Sequence, residues 1–428
     1  MDANSSTINR FKAQVNKFSG IISKELNKVQ SRLVKELVYG IQASKDIKIS
    51  SVSRSLQESI PLAKTEDRIC RNLAAKDISS DINAQILRLG SSKVTKDMVI
   101  TIDPGDITKP YAKAMENLCN VYDGSKGATA IGYHLCQVTA ANLEHNTIVP
   151  LYCEVFSDKE ADYKTATKKV ISIIEHLHQS IGSNGVWAID RMGDCNEIVD
   201  CFLDNGLDFV TRLKLNRWLI VHNKNGGEVP VKTANLEKHM KLNFRAQITK
   251  IDNGKEKLLN LKFGIKKVQL QNDPKQWLNV LFIKGYGAKP MILLTNLEPD
   301  KDNTAQVFRI LEIYLTRWKC EECYRYLKQS YKLEDIRVRS YNGIRNMAAI
   351  VHAIAYFISI YIGISLKLKV LVQKIFILSK RFFGVSSFFH YAMADGIFEL
   401  LSKTHTGIQQ SEAKEKPNAQ LTLFEDFF

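Results

Sequence analysis

The chain has 428 residues, 45 % of them hydrophobic, and carries 60 Lys and Arg against 45 Asp and Glu, a formal net charge of +15. That is enough chain for two to four domains with a full-sized core. Its eight cysteines stand mostly singly in apolar segments and the opening MDANSSTINRFKAQ lacks a signal-peptide apolar run, so the expected setting is a reducing cytoplasm rather than secretion. The charge is uneven: residues 1–96 hold 17 Lys and Arg against 9 Asp and Glu, an excess that suits a polyanion such as DNA or RNA.

Residues 1–96 read as short helices with polar breaks. Within them, IKISSVSRSLQESIPLAKTEDRICRNLAAKD forms two helices meeting near Ile60-Pro61, the second presenting Lys64, Arg68 and Arg71 on or near one face. This suits a helix-turn-helix reader of DNA, with a plain helical hairpin as the alternative. From 97 to 214 the texture is mixed α/β. DMVITID is an apolar strand ending in Asp103, YHLCQVTAAN and TIVPLYCEVFS are further strands, and TATKKVISIIEHLHQSIG is a helix. GVWAID is a buried strand ending in Asp190, followed by a helix at about 196–205.

Residues 215–290 form a β-rich insertion, punctuated by the hairpin dipeptides Asn225-Gly226 and Asn253-Gly254. The core resumes over 291–365 with one helix from about 304 to 332. The next segment, MAAIVHAIAYFISIYIGISL, is long enough to cross a bilayer. It contains His352, stands alone and follows a helix already committed to a core, so it is read as a central helix, with a membrane span as the alternative. Basic, apolar helices fill 366–405, and 406–428 is a tail: a linker-like TGIQQSEAKEKPNA, then an apolar QLTLFEDFF.

The helix within 304–332 carries a pattern. At 100° per residue, Tyr314, Arg317, Glu321 and Lys328 fall in a polar stripe about 60° wide, beside a buried face of Ile313, Cys320, Tyr324, Leu327 and Tyr331. Glu321 thus sits at a core edge, while Glu322 points to water. Cys320 and Cys323 form a lone CxxC with no second pair, read as buried structural thiols, with zinc or redox chemistry as the alternative.

Asp103, Asp190 and Glu321 are therefore three carboxylates from separate elements, which is the donor set a pair of hard divalent ions requires. Two such ions would activate an attacking hydroxyl and stabilise the leaving oxygen of a phosphodiester.

On these residues a family resemblance appears. Tyr314, Arg317, Glu321 and Lys328 resemble the Tyr-Arg-Glu-Lys signature of bacterial insertion-sequence transposases with a DDE triad, and DRMGD (190–194) is similar to their Asp-Arg-x-x-Asp motif. The resemblance covers roughly 45–400. It implies a ribonuclease H-like mixed-sheet core with a β-rich insertion and helical N- and C-terminal regions, the first of them binding DNA ends. It implies cut-and-paste transposition by hydrolytic nicking and strand transfer, with hairpin formation in many members. The implied catalytic metal ligands are Asp103, Asp190 and Glu321, holding two Mg2+ with Mn2+ as a substitute. Tyr314, Arg317 and Lys328 would hold phosphates of terminal DNA, while Arg191 and Asp194 would support them. Trp318 would stack on a base or pack against the core. The implied partners are terminal inverted repeats, target DNA and a second copy of the chain on paired ends.

The first acid departs from the family pattern, running Asp103-Pro-Gly-Asp106-Ile-Thr108; Asp103 is preferred because it ends the apolar strand, with Asp106 as the alternative. In the tail, Gln420, Leu421, Thr422, Leu423 and Phe424 resemble the bacterial sliding-clamp-binding peptide, an extended segment placing Leu and Phe in an apolar pocket. Packing on the chain's own core or on a dimer mate is the alternative. Together these readings place the protein in the cytoplasm, associated with the nucleoid.

Overall fold

The computed structural model describes residues 3–124, 126–145, 147–223, 225–252, 255–273, 276–363, 368–379, 389–404 and 406–409. Five helices come first: α1 (Ala3–Ile22), α2 (Lys28–Ser44), α3 (Ile49–Leu56), α4 (Leu62–Ala75) and α5 (Ser79–Ser91). Strands β1 (Val99–Thr108), β2 (Cys119–Asp123), β3 (Ala128–Ala141) and β4 (Ile148–Phe156) lead to α6 (Ala166–Ile181), β5 (Val186–Ile189), α7 (Asn196–Asp204) and β6 (Phe209–Arg212). The β-rich stretch supplies β7 (Trp218–His222), β8 (Glu228–Lys232), β9 (Phe244–Asp252), β10 (Lys255–Leu270) and β11 (Trp277–Lys284), and β12 (Met291–Thr295) follows. Last come α8 (Thr304–Thr316), α9 (Trp318–Tyr331), α10 (Tyr341–Tyr356), α11 (Lys369–Leu378) and α12 (His390–Leu401).

Among the described residues the strands join one mixed sheet in the order β2-β3-β1-β5-β6-β12-β11-β10-β7-β8, with β4 beside β3 and β9 beside β10. Within it, β4-β3-β1-β5-β6 is the ribonuclease H-like core: β3 runs antiparallel to β1, while β5 and β6 run parallel to it. Val99 to Ile102 are buried on both faces, as a central strand between parallel and antiparallel neighbours requires. Ile100 and Ile102 belong to the main core with Val170, Ile173 and Leu177 of α6, whose first turn is capped by Thr165. On the other face Val99, Ala188, Val210 and Leu293 meet Val307, Ile310 and Leu311 of α8. The β-rich stretch extends this sheet, because β12 pairs with β6 and β11 pairs with β12.

Several expectations are corrected. The first strand does not end at Asp103 but continues to Thr108, Pro104 and Gly105 keeping register with Cys136 and Leu135. The helix expected over 304–332 is interrupted for one residue at Arg317, between α8 and α9, with the backbone there still right-handed helical. Thr316 returns its hydroxyl to the Glu312 carbonyl at 2.9 Å, a local bond that bends helices. The N-terminal helices are not all short, α1 having 20 residues. Their core is continuous with that of the C-terminal helices, Phe11 and Phe18 stacking on Tyr356, Phe357 and Tyr361. The segment long enough to span a bilayer, Tyr341–Ile362, has a mean hydropathy of 1.4 and is 94 % buried against protein. Burial pushes its His352 down to about 3, so the ring is neutral.

Candidate active site

Strand register brings the first two acids together. Thr101 lies opposite Ala188 in the parallel pair β1–β5, so two residues further on Asp103, within β1, stands in step with Asp190, just past β5, at the spacing of neighbouring strands, about 5 Å. Asp190 then turns the chain: its carboxylate accepts the Met192 N–H at 2.9 Å, and its carbonyl accepts the Thr211 hydroxyl at 3.2 Å. The turn needs Gly193, where a Cβ would stand 2.2 Å from Ile189 Cγ2 and 2.5 Å from Thr211 Oγ1. Asp194 is spent structurally, accepting the Lys214 N–H at 2.7 Å, with Arg217 at 3.5 Å.

The third acid comes from α9, packed over β1 and β3. Arg317, 9 % exposed, lies between the acids: its Nη1 donates to Glu321 and stands 3.8 Å from Asp103 Oδ1. Its buried Nε has no hydrogen-bond partner among the described residues, leaving a donor to spare. Asp103 is pushed up to about 7, first by burial, then by the charges of Glu321 and Asp190, against the pull of Arg317 and Lys328. Asp106 is raised too, by burial and by Asp123 and Glu334, with Lys328 opposing. Asp103 is thus the acid that Glu321, Arg317 and Asp190 surround. Asp106 instead uses its carbonyl to accept the Tyr324 hydroxyl at 2.5 Å.

The remaining stripe residues divide. Lys328 is half-buried over the Tyr324 ring at 4.5 Å and pairs with Glu334 at 2.7 Å. Tyr314 is 2 % exposed and lies under Arg317, whose Cζ is 5.5 Å from its ring centre. It therefore supports the guanidinium rather than offering a free surface. Trp318 is 42 % exposed and lies near Tyr286, from the loop before β12. Cys320 and Cys323 are buried free thiols, with burial raising both.

In the N-terminal region α3 and α4 are two helices meeting at Ile60-Pro61. Lys64 and Arg71 lie exposed on α4. Arg68 does not join them: its guanidinium closes on Glu36 at 2.6 Å and Glu58 at 2.8 Å, bracing α4 to α2. The peptide Gln420, Leu421, Leu423 and Phe424 lies outside the described residues.

One group of cations escaped the sequence reading. Residues 215–290 hold 15 Lys and Arg against 5 Asp and Glu, a net +10 and more than residues 1–96 contribute. A charge count segment by segment would have exposed it. Where the stretch rejoins the core, Lys289 meets Arg191, Arg212 and Lys214 around one cavity.

Among the described residues no three Asp, Glu, His or Cys side chains are grouped closely enough to enclose one metal ion. The donor chemistry nonetheless fits a hard divalent cation. Three carboxylates come from separate elements, and Asp103 is raised to about 7 first by burial and then by the charges of Glu321 and Asp190, which Arg317 offsets only in part.

A ribonuclease H-like sheet with acids side by side on two adjoining strands and a third on a covering helix defines an acid-cluster enzyme of the nucleic-acid-cleaving class. Residues 97–358 match the family model for the transposase DDE domain, and the chain belongs to that family of transposases. Membership implies use of a divalent metal. A cryo-EM structure of a piggyBac transposase synaptic complex with hairpin DNA is similar over 99 % of this chain and 84 % of that one, with a TM-score of 0.45 and 10 % identity. That likeness is too distant to bear on function. No curated protein matches the chain.

Proposed function

We propose that the protein is a cut-and-paste transposase of the bacterial insertion-sequence branch, joining hydrolytic excision of a DNA element to strand transfer. The observation that carries this reading is the grouping of Asp190 and Glu321 about Asp103, with Arg317 paired to Glu321 and 3.8 Å from Asp103. The three carboxylates would hold two Mg2+, or Mn2+ in their place, which when bound supply Lewis-acid activation of the attacking oxygen and charge stabilisation of the leaving one.

The chain's own residues do the rest. Arg317 exchanges its carboxylate partners for a phosphate oxygen, its spare Nε completing a two-point grip, and Tyr314 beneath it fixes the plane of the fork. Lys328 adds a point charge once Glu334 releases it. Water attacks phosphorus, the P–O3′ bond breaks, and the 3′-oxygen leaves as a hydroxyl. That hydroxyl then attacks a target phosphodiester, losing its proton as one P–O bond forms and another breaks, so no energy-carrying cofactor is consumed. Two copies of the chain on paired ends would couple the cuts.

Excision of a marker flanked by the DNA bordering this gene tests the reading. Loss of the marker with the wild type and not with Glu321→Gln is the expected result; equal loss with both would refute it. The tail adds a separate proposal, that residues 420–424 bind the sliding clamp. Capture by purified clamp should vanish when 420–428 are removed, and capture that survives the truncation would sink it.

A further inference from the structure

One edge of the sheet changes sign along its length. Asp103 lies within β1, level with Asp190 just past the end of β5. On the next strand Ile189 is level with Thr211, so Arg212 is level with Asp190, about 5 Å further along. On the strand after that, β12 runs antiparallel with Leu293 opposite Arg212, which returns Lys289 to the same edge. Here Arg191, Arg212, Lys214 and Lys289 line a cavity of about 220 Å³ with Leu215 and Pro290 beside them. No acid lines it, and none of the four cations is in an ion pair among the described residues. Four like charges gathered in one concavity repel one another, a cost that an anion would offset.

We infer that this cavity seats a backbone phosphate of the DNA strand that runs from the acid cluster toward the β-rich stretch. The inference rests on the proposed function for the identity of the polyanion. Arg317 and Lys328 reach the acids from the side of α9 over β1, whereas the cavity lies on the opposite side, beyond β5. A phosphate at the acids would therefore be flanked on both sides, which fixes the direction of the strand. The cavity is also where the β-rich stretch rejoins the core, so a strand bound there ties the two together.

Full-length protein is titrated with a duplex of about 30 base pairs over about 50 to 300 mM salt. Each phosphate contact contributes about 0.9 to the slope of log affinity against log salt. Arg212→Ala and Lys289→Ala should each lower that slope by nearly one, while Lys301→Ala, an exposed cation at the opposite sheet edge, leaves it unchanged. Arg212→Lys should restore most of the slope, which a purely structural role would not require. If Arg212→Ala fails to fold, the exposed Lys289 carries the test alone. Two duplexes separate the sources: a defect confined to DNA bordering the gene assigns the seat to terminal DNA, and an equal defect on unrelated DNA assigns it to target DNA. Unchanged slopes for both Arg212→Ala and Lys289→Ala overturn the inference. Because binding is read without cleavage, a chain that keeps this slope effect but never excises would refute transposition and leave the seat intact.

Discussion

Two clusters in this molecule set arginine between carboxylates, and they solve the charge balance differently. At the N-terminal helices, Arg32 and Arg68 meet Glu36 and Glu58, with each carboxylate oxygen paired to its own guanidinium nitrogen at 2.6 to 2.8 Å. At the sheet edge, Glu321 and Asp103 share Arg317, which reaches Asp103 only at 3.8 Å, and Asp190 adds its charge beside Asp103. The first cluster is neutral and closed, as a structural network must be when Glu36 is fully buried. The second is left negative, and burial first, then the charges of Glu321 and Asp190, raise Asp103 to about 7. An imbalance that costs the fold stability is expected where a ligand corrects it.

The contrast breaks most visibly under paired substitution. Glu36→Gln should destabilise the protein by about 3 kcal/mol, since it leaves Arg32 and Arg68 with Glu58 as their one charged partner in the cluster, visible as a fall of several degrees in melting temperature. Glu321→Gln should leave melting unchanged or raise it, yet abolish excision. If the two variants behaved alike in melting, the clusters would not differ in kind.

Acidity sharpens the same comparison. Asp103 titrates near 7 in the folded chain against 3.8 when unfolded, so the folded state binds the extra proton between these values. Its ionisation therefore costs stability fully above about pH 7, and the cost fades as pH falls toward 4. Asp103→Asn should raise the melting temperature at pH 8 and have little effect at pH 4. Added Mg2+, which requires the ionised form, should stabilise the wild type more at pH 8 than at pH 6. Equal stabilisation at both would contradict the assignment.

The smallest effects belong to α4. Lys64→Ala and Arg71→Ala should each weaken DNA binding a few-fold and reduce its salt dependence by about one contact, with melting unmoved. Arg68→Ala should instead lower the melting temperature. A uniform response would mean that helix packing does not distinguish these three cations.

Much of this arrangement was legible in the sequence. Apolar runs ending in Asp103 and Asp190 announce buried strands, and the spacing of Arg317 and Glu321 places both on one side of a helix. What stayed hidden depends on tertiary partners. Pro104-Gly105 reads as a strand breaker, yet β3 holds it in register. Strand β8 contains Pro230 and survives because it is an edge strand. The break at Arg317 carries no glycine or proline to mark it. Arg68 looks like a DNA contact until Glu36 and Glu58, 32 and 10 residues away, arrive to claim it. Tyr314 looks like a ligand-facing residue until α8 is packed on the sheet.

A cleavage centre formed by Asp103, Asp190 and Glu321 requires Asp103 and not Asp106. The most direct test is excision in cells expressing Asp103→Ala or Asp106→Ala beside the wild type. Excision should be lost with Asp103→Ala and retained with Asp106→Ala. Excision that survives loss of Asp103 and disappears with loss of Asp106 would contradict it.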